Sequence, residues 1–176
     1  MVPPGAAVRA ARPADLAAVA GIHAHYVRHT VVTFAEKPRT EAEWEQLLAE
    51  VTGSGLPFLV AELAGAVVGF AYAAPWRAKP AYRFTVEDSV FLAPEATGRG
   101  LGTALLGTLV AEAGRAGRRQ MIAVVADTGE GASAALHRRL GFAEVGRLTD
   151  VGHKHGRWID TLLLQRALPA PDPDPE

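Results

Sequence analysis

The sequence predicts a mixed α/β domain: one mostly antiparallel sheet of six or seven strands with helices on both faces. Three observations predict it. Strand-like and helical periodicities alternate along the chain in the order β-α-α-β-β-β-α-β-α-β-β. Two neighbouring strand pairs are joined closely enough to be antiparallel hairpins. A glycine-rich turn feeds a helix that lies between two further strands, the pattern of a single parallel crossover. This order does not fit a doubly wound parallel sheet.

Each element has its own local reason. Val8 to Arg12 reads as a first strand. Pro13 then opens a helix at the position where its missing N–H costs nothing. Leu16, Val19, Ala20, His23 and Val27 follow at helical spacing to an end near His29. Thr40 is placed to cap a second helix, with Glu43 completing a capping box, and Gly53 to Gly55 ends it just past Val51. Pro57 to Leu63 and Ala66 to Ala73 are β runs joined at Ala64-Gly65, a hairpin. Pro75 to Arg83 reads as irregular. Thr85 to Leu92 is strand-like, its propensity carried by Val86, Val90 and Phe91. The turn from Gly98 to Gly102 leads into a helix with Leu101, Ala104, Leu105 and Leu109 on one face, closed by Gly114 to Gly117. Gln120 to Ala126 is a buried-looking strand, and Ser133 to Leu140 a short helix stopped by Gly141. Two final strands, Ala143 to Thr149 and Trp158 to Leu164, are joined around Gly152 to Gly156.

The 176 residues suit one domain with a real core, placed here at residues 8–168. Residues 1–7, with Pro3, Pro4 and Gly5, are expected to be flexible, and the Pro- and Asp-rich tail of 169–176 disordered. Eighteen Lys and Arg against 19 Asp and Glu give a net charge of -1, so neither nucleic acid nor an anionic membrane is an expected partner. Cysteine is absent, which excludes disulfides, thiolate metal sites and cysteine nucleophiles. Met1 to Ala7 carries neither a basic region nor a long apolar run, and no stretch approaches the ~20 apolar residues of a membrane span. A soluble, cytoplasmic location is expected. The histidines His23, His25, His29, His153 and His155 do not form a metal-ligand set, and no metal is expected.

The segment Thr97-Gly98-Arg99-Gly100-Leu101-Gly102-Thr103 carries the strongest chemical signal. Alternating glycines let backbone come close to a ligand, and the N–H groups converge at the positive end of a helix dipole, which suits a pyrophosphate. The same cluster also serves a tight strand-to-helix turn that needs positive φ. No Gly-Lys-Ser/Thr follows, and the spacing is not that of a dinucleotide fingerprint.

The segment resembles the acyl-CoA loop of the GNAT superfamily of N-acetyltransferases, Gln/Arg-x-x-Gly-x-Gly/Ala, with Thr97 departing from the usual first residue. Further segments match that superfamily in order: Arg9 to Leu16, its opening strand and helix; Ser89-Val90-Phe91-Leu92-Ala93-Pro94, the strand before the loop; and Ser133-x-x-Leu136-x-x-x-Leu140-Gly141-Phe142, its late helix. The resemblance spans about Val8 to Leu168. Within it, Thr30 to Phe34, Tyr72 to Arg77, Ala81 to Val90 and Val151 to Asp160 are similar to the phosphinothricin and methionine sulfoximine/sulfone N-acetyltransferase branch.

The resemblance implies acetyl-CoA as acetyl donor, held by Val90, Phe91, Leu92, Gly98, Arg99, Gly100, Leu101, Gly102, Thr103 and Ser133. It also implies a small-molecule amine substrate and a homodimer. Glu87 is expected as the base for the amine, on a strand that leads to the glycine loop, with Asp88 turned to the opposite face and so away from the site. His137 takes the place of a helix residue near the CoA sulfur and is expected as general acid. A backbone N–H near Phe91 or Leu92 is expected to face the tetrahedral oxyanion. Arg77 and Arg83 suit a substrate carboxylate. Lys154 and His155 are further substrate candidates, and Trp76, Tyr82 and Trp158 are candidate pocket walls. Two alternatives stand beside this reading: acetylation of another amine, such as a protein N-terminus, polyamine or aminoglycoside, and a non-catalytic acyl-CoA-binding module.

Overall fold

The computed structural model describes residues 3–129 and 131–169. Seven strands form one sheet. In spatial order they are Ala6–Ala10 (β1), Phe58–Leu63 (β2), Ala66–Pro75 (β3), Thr85–Leu92 (β4), Gln120–Ala126 (β5), Arg157–Ala167 (β7) and Ala143–Lys154 (β6). Every neighbouring pair is antiparallel except β4 and β5. Four helices cover it: Leu16–His29 (α1), Glu41–Gly53 (α2), Leu101–Arg115 (α3) and Ala132–Arg139 (α4).

Strand alternation decides which helix meets which face. On β3, Phe70 meets Trp44 of α2 edge-on at 5.4 Å. Its neighbour Gly69 points the other way, where a Cβ would press on Leu92 and on Leu105 of α3. The α1–α2 pair and the α3–α4 pair therefore occupy opposite faces. Between them Leu16, Trp44, Leu59, Phe70, Leu105, Leu109, Met121 and Leu164 are fully buried.

Local capping follows the sequence closely. Thr40 accepts the Glu43 N–H and donates its own N–H to the Glu43 carboxylate, closing the capping box of α2. Pro13 sits instead in a single 3-10 turn, Pro13–Asp15, before α1 begins. Asp15 accepts the Arg12 N–H at 2.7 Å and pairs with Arg9 at 2.8 Å, which also pairs with Glu62 of β2.

Strand limits differ from the sequence reading by one or two residues at several ends, among them β3, which runs to Pro75, and by more in β6 and β7. β1 takes in Ala6 and Ala7, paired with Leu63 and Glu62, although alanine carries no strand signal. β6 runs on to Lys154 and β7 to Ala167, so the last hairpin turns only at His155-Gly156. Gly146, Gly152 and Asp150, at φ 51, weaken the strand pattern of β6, and two register shifts absorb them. Pro169 packs on Gly114 of α3; the rest of the proline-rich tail, 170–176, lies outside the described residues.

Candidate active site

The parallel contact between β4 and β5 lasts for three residue pairs, Thr85–Glu87 against Gln120–Ile122. Beyond Glu87 the strands part while each keeps its outer neighbour, β3 or β7. A cavity of about 920 Å³ opens through this fork. It is bordered by residues 87–92 and 123–126, by the loop before α3, by the start of α4, and by Tyr26 and residues 32–34.

The fork exposes backbone. The Ala93 N–H donates to the Val68 carbonyl, and the Thr85 carbonyl accepts from the Trp76 N–H. Odd-numbered residues of β4 thus direct their backbone groups to the β3 side, and alternation turns those of Val90 and Leu92 into the gap. The Leu92 carbonyl accepts the Tyr26 hydroxyl at 2.7 Å, and its N–H faces the cavity. Of the two residues considered for oxyanion contact, the geometry favours Leu92 over Phe91.

The glycine loop does two separate jobs. Gly98 and Gly100 lie at φ 74 and 78, in the left-handed region. Gly102 is instead a packing residue: a Cβ there would stand 3.2 Å from Leu136 of α4. The first helical bond of α3 is Ala104 N–H to the Gly100 carbonyl, so the N–H groups of Leu101, Gly102 and Thr103 have no intrahelical acceptor. These amides and the α3 dipole suit a polyphosphate. Leu101 contributes backbone only, since its side chain is in the core, and Arg99 stands exposed.

Glu87 and Asp88 both border the cavity, from opposite faces of β4. The expectation that Asp88 lies away from the site is therefore corrected: its direction is as predicted, but the open fork gives both faces to one cavity. Glu87 is half-buried on the α1–α2 side. Burial raises its pKa first, the Asp88 charge adds to this, and Arg77 opposes it. Asp88 is buried on the α3–α4 side, with Oδ2 2.9 Å from His137 Nε2. His137 Nδ1 lies 2.8 Å from the Ser133 carbonyl, which only accepts, and so donates to it. Burial lowers the His137 pKa, but the Asp88 hydrogen bond and charge and the Ser133 carbonyl outweigh it, leaving it raised. Both ring nitrogens are thus engaged within the fold.

The substrate candidates separate into two groups. The Arg77 guanidinium stacks 4.6 Å over the Trp76 ring, just past the Ala74–Glu87 pair, and acts on Glu87 through its charge. Lys154 is buried and donates from Nζ to the carbonyl of Thr33, a wall residue, at 2.7 Å. None of these candidates, Trp76, Arg77, Tyr82, Arg83, Lys154 or His155, is among the residues that border the cavity. Tyr82 is exposed; Arg83 donates to the Pro80 carbonyl and lies 4.5 Å over Phe84; His155, at φ 50, is the exposed apex of the last hairpin. Trp158, expected as a wall, is 67% exposed and rests on His153.

Sequence reasoning did not single out Tyr26 or Phe34 as walls. Tyr26 could have been found at three residues from His23 on the α1 face. Phe34 packs on Gly152, where no Cβ would fit, and so docks the loop of residues 31–36 on the last hairpin. Among the described residues no three His, Asp or Glu side chains gather as a metal site, and no helix is long and apolar enough to cross a membrane.

A forked mixed sheet with an amide-rich loop at the fork and a half-buried carboxylate across it defines an acyl-transfer enzyme of the acetyltransferase kind. The chain belongs to the Acetyltransferase (GNAT) family, whose model matches residues 20–142. It is 48% identical over 165 residues to a phosphinothricin N-acetyltransferase from Alcaligenes faecalis, covering 94% of this chain and 84% of that protein. It is 37% identical to an L-methionine sulfoximine/L-methionine sulfone acetyltransferase from Salmonella typhimurium, covering 92% and 94%. Among solved structures, a phosphinothricin acetyltransferase from Sinorhizobium meliloti in complex with acetyl-CoA superposes with a TM-score of 0.89 at 46% identity, covering 93% and 89%.

Proposed function

We propose that this N-acetyltransferase moves the acetyl group of acetyl-CoA directly to the α-amino group of a small amino acid bearing oxidised phosphorus or sulfur. One observation carries the reading: the β4–β5 fork joins the amide loop, on one face, to Glu87 on the other. A donor lying along the loop would bring its thioester through the fork to an amine resting at Glu87. The names of the similar proteins supply the substrate class.

The α-ammonium of a free amino acid, less acidic than a peptide N-terminus with its pKa of about 8, must lose a proton before it attacks. Glu87, its pKa raised by burial, is matched to accept that proton better than an exposed carboxylate. The amine nitrogen then bonds to the thioester carbon, and the oxygen that gains charge meets the Leu92 N–H. As the C–S bond breaks, the thiolate takes a proton from His137, whose Nε2–H rests on Asp88 between turnovers. The nitrogen, cationic after its attack, gives its remaining extra proton to solvent, which also takes the proton from Glu87 and restores the one that His137 gave. With no cysteine in the chain, transfer within a ternary complex needs no acyl-enzyme.

Arg77 is assigned to the substrate carboxylate. We further propose a homodimer: β6 is a sheet edge carrying exposed Val145, Leu148 and Val151, with Trp158 beside them on β7. The test of the main reading is release of free CoA with a panel of amines. Phosphinothricin and methionine sulfoximine should exceed methionine, a peptide amine and a polyamine in kcat/KM by well over tenfold. Equal rates across the panel would overturn the substrate class.

A further inference from the structure

Cross-strand register lays a row of side chains on the α1–α2 face: Ala74 opposite Glu87, Tyr72 opposite Ser89, and Phe70 opposite Phe91. Tyr72 stands two residues along the ladder from the Glu87 pair, a step of roughly 7 Å. Its ring is buried, tilted on Phe58 at 5.1 Å and parallel to Phe70, so the hydroxyl has a fixed place.

Two cations converge near this row. Arg39, the residue before the cap of α2, brings Nη1 to 3.5 Å from the Tyr72 hydroxyl and lies 5.1 Å over the Trp44 ring. Lys154 arrives from the last hairpin and has one acceptor, the Thr33 carbonyl, for its three N–H donors. Among the described residues neither forms an ion pair; Glu36 is the carboxylate whose charge Lys154 feels. Both cations act on the same buried group, His23, which sits edge-on to Trp44 and Phe91 with Nδ1 unpartnered. Burial first, and then the charges of Arg39 and Lys154, push its pKa down to about 4. A neutral imidazole offers these cations no compensation. The buried Lys154 ammonium has donors to spare and the exposed Arg39 guanidinium has no bonded carboxylate, so an anionic or strongly oxygenated ligand would suit both.

We propose that Arg39 and Tyr72, with Lys154, form an oxoanion subsite that takes the distal phosphinate, sulfone or sulfoximine oxygens of the substrate. This rests on the substrate class proposed above and names the residues that read it. The dimensions agree. Five bonds of about 1.5 Å in an extended zigzag separate the amino nitrogen of phosphinothricin from its distal oxygens, roughly 6 Å in all. That is close to the step from the Glu87 pair to Tyr72. Arg39 acts here as a specificity-determining residue, not as part of the acid–base chemistry.

The test measures kcat/KM for phosphinothricin, methionine sulfone and methionine in the wild type, Arg39→Gln, Arg39→Lys and Tyr72→Phe, with thermal melts and acetyl-CoA affinity as controls on the fold. Arg39→Gln should lower the phosphinothricin value roughly ten- to a hundredfold, the sulfone value by less because that group is neutral, and the methionine value least. Arg39→Lys should restore part of the phosphinothricin loss, and Tyr72→Phe should weaken both oxidised substrates. Equal losses on all three substrates would mean that Arg39 holds the α-carboxylate, and the proposal is overturned. Unchanged ratios overturn it as well. A wild type that acetylates methionine as well as phosphinothricin removes the substrate class itself, a failure visible before any variant is made.

Discussion

Replacing His137 with alanine removes, among the described residues, the one side-chain partner of the buried Asp88 carboxylate. Asp88 Oδ2 loses its hydrogen bond to Nε2, and Oδ1 already has no partner. Both side chains are almost fully buried, so water cannot easily take the place of the imidazole. Breaking such a pair from one side costs about 3–5 kcal/mol, because the remaining charge is left uncompensated. The edge contact of His137 with Phe142 at 5.0 Å is lost too. In a domain of this size each kcal/mol is worth about 2–4 °C, so the melting temperature should fall by roughly 6–20 °C. Removing both partners in Asp88→Asn/His137→Gln should cost less than the two single changes added together. The pair also makes a pH statement. The His137 pKa is raised in the fold, so its contribution is fully present below the unfolded value of about 6.5 and is lost as pH rises through the folded value. The stability gap between the wild type and the non-titrating double variant should therefore be widest in mildly acidic buffer and narrow on the alkaline side. Calorimetric melts from pH 5.5 to 9 would check both points. A loss under about 1 kcal/mol for His137→Ala, or a gap that widens with pH, would refute the account of this pair.

Other outcomes follow from the same geometry. Glu87→Gln should reduce kcat by about 10²–10⁴, with the remaining activity rising with pH as more amine is deprotonated in solution; wild-type turnover at neutral pH would take Glu87 out of the mechanism. In the wild type, the acidic limb of the kcat/KM profile should lie above the ordinary carboxylate range, as the raised Glu87 pKa requires, and a limb within that range would contradict the assignment. Gly100→Asp forces a side chain onto a residue at φ 78 and sets a carboxylate among the loop amides, so acetyl-CoA affinity by calorimetry should drop more than tenfold while the protein still melts cooperatively. Light scattering should give twice the mass of one chain, and Val151→Glu on the exposed sheet edge should shift it toward one; a wild-type monomer at micromolar concentration removes the dimer proposal.

Much of the fold was legible because its signals are local. The Thr40–Glu43 box, the Ala64-Gly65 turn and the Gly98–Gly102 turn each announce themselves within a few residues. β6 was harder to read, because Gly146, Asp150 and Gly152 break its pattern and only pairing with β7 carries it to Lys154. Arg39, Tyr72 and Lys154 come from three separate elements, and nothing local links them. The site shows most clearly where sequence reasoning runs out. Alternation assigns Glu87 and Asp88 to opposite faces of β4, and in an unbroken sheet only one of them would face any given cavity. But β4 keeps β5 as a neighbour for only three pairs. Past that point the strand is an open rim, and both of its faces border the same space. Glu87 then stands on the α1–α2 side of the fork, where the amine is proposed to rest. Asp88, through His137, stands on the α3–α4 side with the amide loop. The sheet would thus hold the two proposed acid–base groups apart so that each could meet its own end of the transfer, and the length of one strand contact decides that both border one cavity.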